Sequence, residues 1–240
     1  MSVRIKVITY NLHKGVGRYG RNALAGAIDA LHARQPDVLA CQEVFHPPAG
    51  ETGQSEVIRS HLGHVHVFGP NAFYRRGCHG NATFTSFTVT SHRNIDATES
   101  YFERRGILRT RLQHVHGDLE LLNVHFSLTR GQRRRQWAKL FATIQEAGDT
   151  PIVVCGDFND WSGDLDRLAL STGVVHNALW TLPKPARRTF PSRRPMLALD
   201  RVYFRGLRLQ SVTVLDGEPW SDLSDHLPVE AVFADAPSYP

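Results

Sequence analysis

The stretch Pro151-Ile152-Val153-Val154-Cys155-Gly156-Asp157-Phe158-Asn159-Asp160 runs from five apolar residues straight into a polar cluster. An apolar run without alternation reads as a strand covered on both faces. Gly156 then breaks the run, and Asp157 and Asn159 stand at the edge of whatever sheet the strand belongs to. The same grammar recurs along the chain: Ile8 to Asn11, Ala40 to Glu43, Leu122 to His125 and Leu197 to Asp200 are strand-like runs that end in an amide, carboxylate or imidazole. A sixth cluster, Ser224-Asp225-His226, opens the last strand. Polar groups at the ends of rigid strands can converge on one sheet edge as a preorganised site.

Around these clusters the periodicity predicts strands at 4–10, 38–42, 65–68, 82–90, 105–115, 119–126, 151–155, 199–204, 207–215 and 228–233. The 105–115 and 119–126 runs form a hairpin about His116, Gly117 and Asp118. Helices are predicted over 22–34, with Asn22 as its cap, over 55–62, and over 131–147. Asn71 to Asn81 is polar, basic and glycine-containing, and reads as an exposed loop. No repeat, low-complexity tract or linker divides the chain, so residues 1–240 are expected to form one domain of many mostly antiparallel strands with a few covering helices.

Composition bounds the rest. The 240 residues are 41% hydrophobic and 21% charged, which suits a soluble globular chain. A formal net charge of +5 favours anionic partners only weakly at this length. Cys41, Cys78 and Cys155 have no C-x-x-C spacing and are odd in number, which argues against a disulfide framework and a zinc cage. No signal peptide and no membrane span are evident, so the default expectation is a cytoplasmic protein.

Each polar residue has a plain structural reading. Asn11 and Asn159 could form turns, His125 could be a hydrogen-bonded core histidine, and Asp200-Arg201 could be a surface ion pair. That reading must hold independently at six places. Taken together the clusters resemble the endonuclease/exonuclease/phosphatase superfamily. The matching segments are TYNLHKG (Thr9 to Gly15), QEV (Gln42 to Val44), NVHFS (Asn123 to Ser127), GDFND (Gly156 to Asp160), LDRVYF (Leu199 to Phe204) and SDHLPVE (Ser224 to Glu230). They occur in the family's order from end to end, and the chain is similar to its small stand-alone bacterial members.

The resemblance implies an α/β four-layer sandwich, with two packed mixed sheets and outer helices. It implies that Asn11, Glu43 and Asp225 hold a divalent cation, Mg²⁺ or Mn²⁺. Asp157 and Asn159 would orient the attacking water and the phosphate, and Asp200 and His226 would form a histidine–carboxylate dyad. His125 would be the second active-site histidine. Oxygen donors suit a hard cation better than zinc, and such a cation both neutralises phosphate charge and activates water. The expected reaction is in-line attack of that water on a phosphodiester. Asn81 and Lys14 are weaker candidates for touching substrate phosphate, and His13 shares Lys14's loop.

The superfamily spans several ester classes. Where this chain has His125-Phe126-Ser127-Leu128, apurinic-site endonucleases carry an aromatic residue and a Pro-Asn-Gly run, which disfavours abasic-site repair. Where it has Ala198-Leu199-Asp200-Arg201, inositol polyphosphate phosphatases carry a Trp-Cys-Asp-Arg run, which disfavours that substrate too. Nuclease is the first expectation, acting as a monomer on nucleic acid. A phospholipid or small-molecule phosphoesterase is the alternative, and an inactive binding module a lesser one. Phe73-Tyr74-Arg75-Arg76 is the single short stretch that mixes aromatic and basic residues as a stacking surface would. Arg130, Arg133, Arg134 and Arg135 are expected to be mostly solvated. The His64/His66 and His114/His116 pairs are read as solvent-facing alternation.

Overall fold

The computed structural model describes residues 4–48, 50–115 and 117–235. In chain order the elements are β1 (Arg4–Asn11), α1 (Leu24–Arg34), β2 (Val38–His46), α2 (Gln54–Leu62), β3 (Val65–Tyr74), β4 (Gly77–Thr85), β5 (Thr88–Asp96), β6 (Gly106–His114), β7 (Gly117–His125), α3 (Arg130–Glu146), β8 (Ile152–Asp157), α4 (Asp164–Thr172), β9 (His176–Asn177), β10 (Asp200–Arg205), β11 (Leu207–Val214), α5 (Trp220–Leu223) and β12 (Val229–Asp235).

They form two six-stranded sheets, ordered β11-β12-β1-β2-β4-β3 and β5-β6-β7-β8-β10-β9. Each sheet has one parallel pair at its centre, β1 with β2 and β7 with β8, and the other pairings are antiparallel. A parallel pair needs a crossover, and α1 and α3 supply it.

Alternation along the strands builds the layers. In β7 and β8, Leu121, Val153 and Cys155 join the core shared with β1, β2 and β12 of the other sheet. Their neighbours Leu122, Val124, Ile152 and Val154 turn outward onto Trp137, Leu140 and Ile144 of α3 and Leu165 and Ala169 of α4. These strands are covered on both faces, which is why they read as continuous apolar runs. The helical residues Trp137, Leu140 and Ile144 recur at three- and four-residue spacing and are at most 4% exposed. Each contributes up to about 1.5–3 kcal/mol of burial. Ala27, Ile28 and Leu31 of α1 and Ile58 of α2 cover the other sheet in the same way.

Several sequence expectations change. The predicted exposed loop at Asn71–Asn81 is instead a hairpin: β3 runs on to Tyr74 and β4 begins at Gly77, paired Tyr74 with Gly77. Its polarity misled because the tip is solvated, while Gly80 lies where an added Cβ would sit 2.0 Å from the Gly69 carbonyl oxygen. The predicted 82–90 strand splits at Ser86–Phe87, and β5 and α4 were not anticipated. Asn22 accepts from the Leu24 amide at 3.0 Å, but α1 starts at Leu24 with Ala23 at its cap position.

His64 and His66 face inward and Val65 outward, the reverse of the expected alternation. His66 Nε2 lies 3.1 Å from Ser55 Oγ, which also meets His46 Nε2 at 2.6 Å. His114 is buried against the edge of Phe87, and His116 lies outside the described residues. Arg133 is buried beneath Trp161, its guanidinium carbon 4.4 Å from the indole centroid, rather than solvated. Among the described residues no helix is long and apolar enough to cross a membrane.

Candidate active site

The two parallel pairs end at the same edge of the sandwich. In one sheet Asn11 pairs with Gln42, one residue before Glu43. In the other, His125 pairs with Asp157 and Asp157 with Asp200, so these three stand abreast on β7, β8 and β10. Asn11 Nδ2 donates to Asp157 Oδ2 at 3.1 Å and joins the sheets at this edge.

Local backbone chemistry aims the side chains. Glu43 sits in a β-bulge, where Gln42 and Glu43 together oppose Asn81, and its φ is 55°. Asn159 also has positive φ, 50°, in the turn after β8. Its amide N–H donates to Asp157 Oδ1 at 2.9 Å, and its side chain donates to the Phe126 carbonyl at 2.9 Å. Strained φ at two non-glycine residues of one cluster is the pattern of a site held by its surroundings.

Beneath the edge lies a wholly buried amide network. Gln42 donates to Asn123 Oδ1 at 2.8 Å, and Asn123 donates to the Cys41 and Ala82 carbonyls at 3.0 Å. Asn81 belongs to this network: its Nδ2 donates to the carbonyls of Gly106 and Asn123 at 3.0 and 3.1 Å. That places it as a clamp between the sheets, below the cavity.

Above the network a cavity of about 350 Å³ is lined by Asn11, Glu43, His125, Asp157, Asn159, Asp225 and His226. Arg105, Leu128, Trp161, Phe190, Leu197 and Leu199 complete the wall. His226 Nδ1 meets Asp200 Oδ2 at 2.9 Å, and its Nε2 lies 3.7 Å from Asp157 Oδ2. His125 Nε2 approaches the same oxygen at 3.4 Å. Burial works against the His226 imidazolium, but Asp200 and Asp157 outweigh it and push the imidazole up, so it is a cation at neutral pH. Burial, reinforced by Arg105 and by the charge on His226, holds His125 well below the usual range, so it is neutral. Burial also pushes the Asp157 carboxyl up, against the pull of His226.

The oxygen donors lie at the front. Glu43 Oε2 is buried with no hydrogen-bond partner among the described residues and meets the Lys14 ammonium at 3.3 Å as an ion pair. Burial raises the Glu43 carboxyl, yet Lys14, His79 and His13 outweigh it and hold it below the usual range. Asp225 Oδ1 is 3.6 Å from His13 Nδ1 and accepts from Ser224 Oγ at 3.3 Å. Among the described residues Asn11 Oδ1 accepts the His13 amide, at 3.0 Å, leaving a lone pair. A buried carboxylate oxygen answered by the Lys14 ammonium, amid carboxylate and amide donors, fits a hard divalent cation. Asp157, Asp200 and His226 also offer ligand atoms within 4.8 Å of one another. There the 2.9 Å bond already uses Nδ1 and Asp200 Oδ2, an arrangement of a histidine–carboxylate pair beside a third acid, and the Glu43 side offers further oxygen donors that could hold a cation.

The segment between the short 3-10 turn at Lys184–Arg187 and β10 forms a bonded wall. Thr189 Oγ1 accepts the Leu199 and Asp200 amides at 3.2 and 3.3 Å, and Leu227 N donates to the Thr189 carbonyl at 2.8 Å. Phe190 lies against the His226 ring, centroids 4.9 Å apart. Sequence reasoning missed Arg105, Trp161, Phe190 and His79, which packs on Tyr74 near Glu43. Only the adjacency of His79 to Gly80-Asn81 could have flagged one of them.

A sequence model of the endonuclease/exonuclease/phosphatase family matches residues 8–226. The chain belongs to this family. Its members are phosphoesterases and generally use divalent metals. The chain is 31% identical over 240 residues to YbhP of Escherichia coli K12, an uncharacterized protein, covering 94% of each. It superposes on the mannosyl-6-phosphatase Bt3783 of Bacteroides thetaiotaomicron with TM-score 0.76 and 16% identity, covering 95% of this chain and 99% of that one. It superposes on TDP2 of D. rerio, complexed with single strand DNA product, with TM-score 0.74 and 16% identity, covering 96% and 98%. At such identities the likeness shows the fold, two mixed sheets with outer helices.

Proposed function

We propose that this protein is a divalent-cation-dependent phosphodiesterase that acts on nucleic acid. The observation that carries the reading is the convergence, in one cavity, of a His226–Asp200 dyad, a neutral His125 and the oxygen donors Asn11, Glu43 and Asp225. Asn11, Glu43 and Asp225 would hold the cation. When bound, it supplies positive charge to the phosphate and lowers the pKa of water.

The chain's own groups do the rest. Asp157 Oδ2 accepts from Asn11 and would orient the water and receive its proton as the P–O bond to the leaving oxygen breaks, that oxygen taking up a proton from solvent, with Asn159 fixing the carboxylate from its backbone. His226, cationic and tethered by Asp200, donates a hydrogen bond from Nε2 to the phosphoryl oxygen as charge develops there. His125, neutral, presents a second imidazole to the phosphate from the neighbouring strand.

A diester is favoured over a monoester by the cavity's charge. Arg105 is the one arginine in the wall, and its guanidinium is already engaged by Glu103 at 2.7 Å. Lys14 is likewise held by Glu43. With both already paired, the positive charge left for the substrate is that of His226 and the bound cation, which suits a monoanionic diester better than a dianionic monoester.

The test is hydrolysis of bis-p-nitrophenyl phosphate and p-nitrophenyl phosphate side by side with Mg²⁺, Mn²⁺ or EDTA, using Glu43→Ala as control. Diester cleavage that EDTA abolishes, and that the variant loses by on the order of a hundredfold or more, is the expected result. Cleavage of the monoester alone would replace the reading with a phosphatase.

A further inference from the structure

A second cavity, of about 360 Å³, adjoins the first and shares Arg105 with it. Two chain segments of similar composition contribute to it. Phe73-Tyr74-Arg75-Arg76 forms the tip of the β3–β4 hairpin, and Tyr101-Phe102-Glu103-Arg104-Arg105 forms the loop before β6. Phe73 and Tyr101 line the cavity while 64% and 83% exposed, and their neighbours Tyr74 and Phe102 are 60% and 96% exposed. Single exposed aromatics need no explanation. Two aromatics from separate segments, Phe73 and Tyr101, lining one cavity together with Arg104 and Arg105, form a ligand-sized surface of the stacking kind.

We infer that this cavity is a stacking subsite for an unpaired nucleobase adjoining the scissile phosphate, and that the enzyme therefore prefers single-stranded to duplex nucleic acid. The inference rests on the phosphodiesterase reading of the neighbouring site. Arg105 links the two cavities: its Nη2 bonds Glu103, while its Nε–H is buried with no hydrogen-bond partner among the described residues. A phosphate in the catalytic cavity would thus have its attached nucleoside within reach of Phe73 and Tyr101. Asp96 also lines the second cavity, its Oδ1 accepting the Thr98 amide at 2.9 Å. A carboxylate there opposes a second phosphate and welcomes an N–H donor on the edge of a base, which thymine N3–H supplies. A base inside a duplex is already stacked and paired, so only an unpaired one can lie on these rings without unstacking. Arg104, exposed in the same wall, and Arg75 and Arg76 at the tip continue the basic path for the backbone.

The experiment compares wild type with Phe73→Ala, Tyr101→Ala and the double variant on three substrates. These are oligo-dT, the same oligo-dT annealed to oligo-dA, and an abasic oligonucleotide of equal length. Each single variant is expected to lose about tenfold in kcat/KM on oligo-dT and nothing on the abasic strand, where wild type itself falls to the variants' level. Wild type is expected to cleave oligo-dT faster than the duplex. Equal losses on the abasic strand, or variants at wild-type rates on oligo-dT, would overturn the subsite. If wild type cleaves none of the three with Mg²⁺ or Mn²⁺, the nuclease reading fails by itself. Fluorescence anisotropy of labelled oligo-dT and abasic strand in EDTA then decides the subsite, which stands only if wild type binds oligo-dT at least about tenfold tighter than either variant does.

Discussion

His226 Nδ1 lies 2.9 Å from Asp200 Oδ2 although Asp200 opens β10 of one sheet and His226 lies in the turn that leads into β12 of the other. The dyad exists only when the sheets are packed. Asp200 is wholly buried and its second oxygen, Oδ1, has no hydrogen-bond partner among the described residues, so its side chain is answered mainly by His226.

Replacing that charge should therefore act on the histidine. In Asp200→Asn the imidazole loses the attraction that opposes burial, and its pKa should fall. At neutral pH the cation would then be depleted, and kcat should drop by on the order of 10²–10⁴ with little change in KM. Imidazole NMR titration reads the first effect and steady-state kinetics the second; an unmoved titration would refute the assigned coupling.

Glu120, 1% exposed, receives hydrogen bonds from Arg109 at 3.0 Å and Arg111 at 2.8 Å. Burial raises its carboxyl, but the two arginines outweigh burial and hold it below the ordinary glutamate value. Its contribution is thus complete above the unfolded-state pKa and is lost as pH falls through the lower folded-state value. Glu120→Gln should cost about 1–3 kcal/mol at pH 7. It should also flatten the fall of Tm between about pH 5 and 3. Parallel Tm-versus-pH curves for variant and wild type would count against this account.

Gly156 has φ 141°, and an added Cβ would meet the Val124 carbonyl oxygen at 1.9 Å. Gly156→Ala should push β8 from β7 just where His125 and Asp157 stand abreast. A loss of about 3 kcal/mol or more and of most activity is expected from urea denaturation and diester assay. A stable, fully active variant would show that the close approach is dispensable.

Thr189 Oγ1 accepts two buried amides, those of Leu199 and Asp200. Thr189→Val keeps the shape and removes the acceptor, which should cost about 1–3 kcal/mol. Because one of those amides belongs to Asp200, kcat should fall more than stability alone explains, while Thr189→Ser should retain both. A Ser variant as impaired as Val would mean that the methyl group, not the acceptor, matters.

Much of this protein is legible without coordinates. Runs such as Val153-Val154-Cys155 are apolar because helices cover one face and the second sheet the other, so their end residues stood out. Asn11, Glu43, His125, Asp157, Asn159, Asp225 and His226 are brought together around one cavity, with Asp200 behind His226. The hairpin at Tyr74–Gly77 was not legible, because its solvated tip has a loop's composition. Neither was the burial of Arg133, whose helical neighbours Arg134 and Arg135 are exposed.

Order of motifs and strand period are local properties, and they were enough to place the chain in its family and to nominate a set of polar strand ends. Which of those groups touch is a matter of sheet-on-sheet packing. Asn11 and Asp157 are 146 residues apart, and their 3.1 Å bond follows from two parallel pairs ending at one edge. Packing also drew Asn81 down into the amide network beneath the site and left Arg105 between two cavities. No periodicity encodes either position, because each depends on a backbone that approaches from a distant part of the chain.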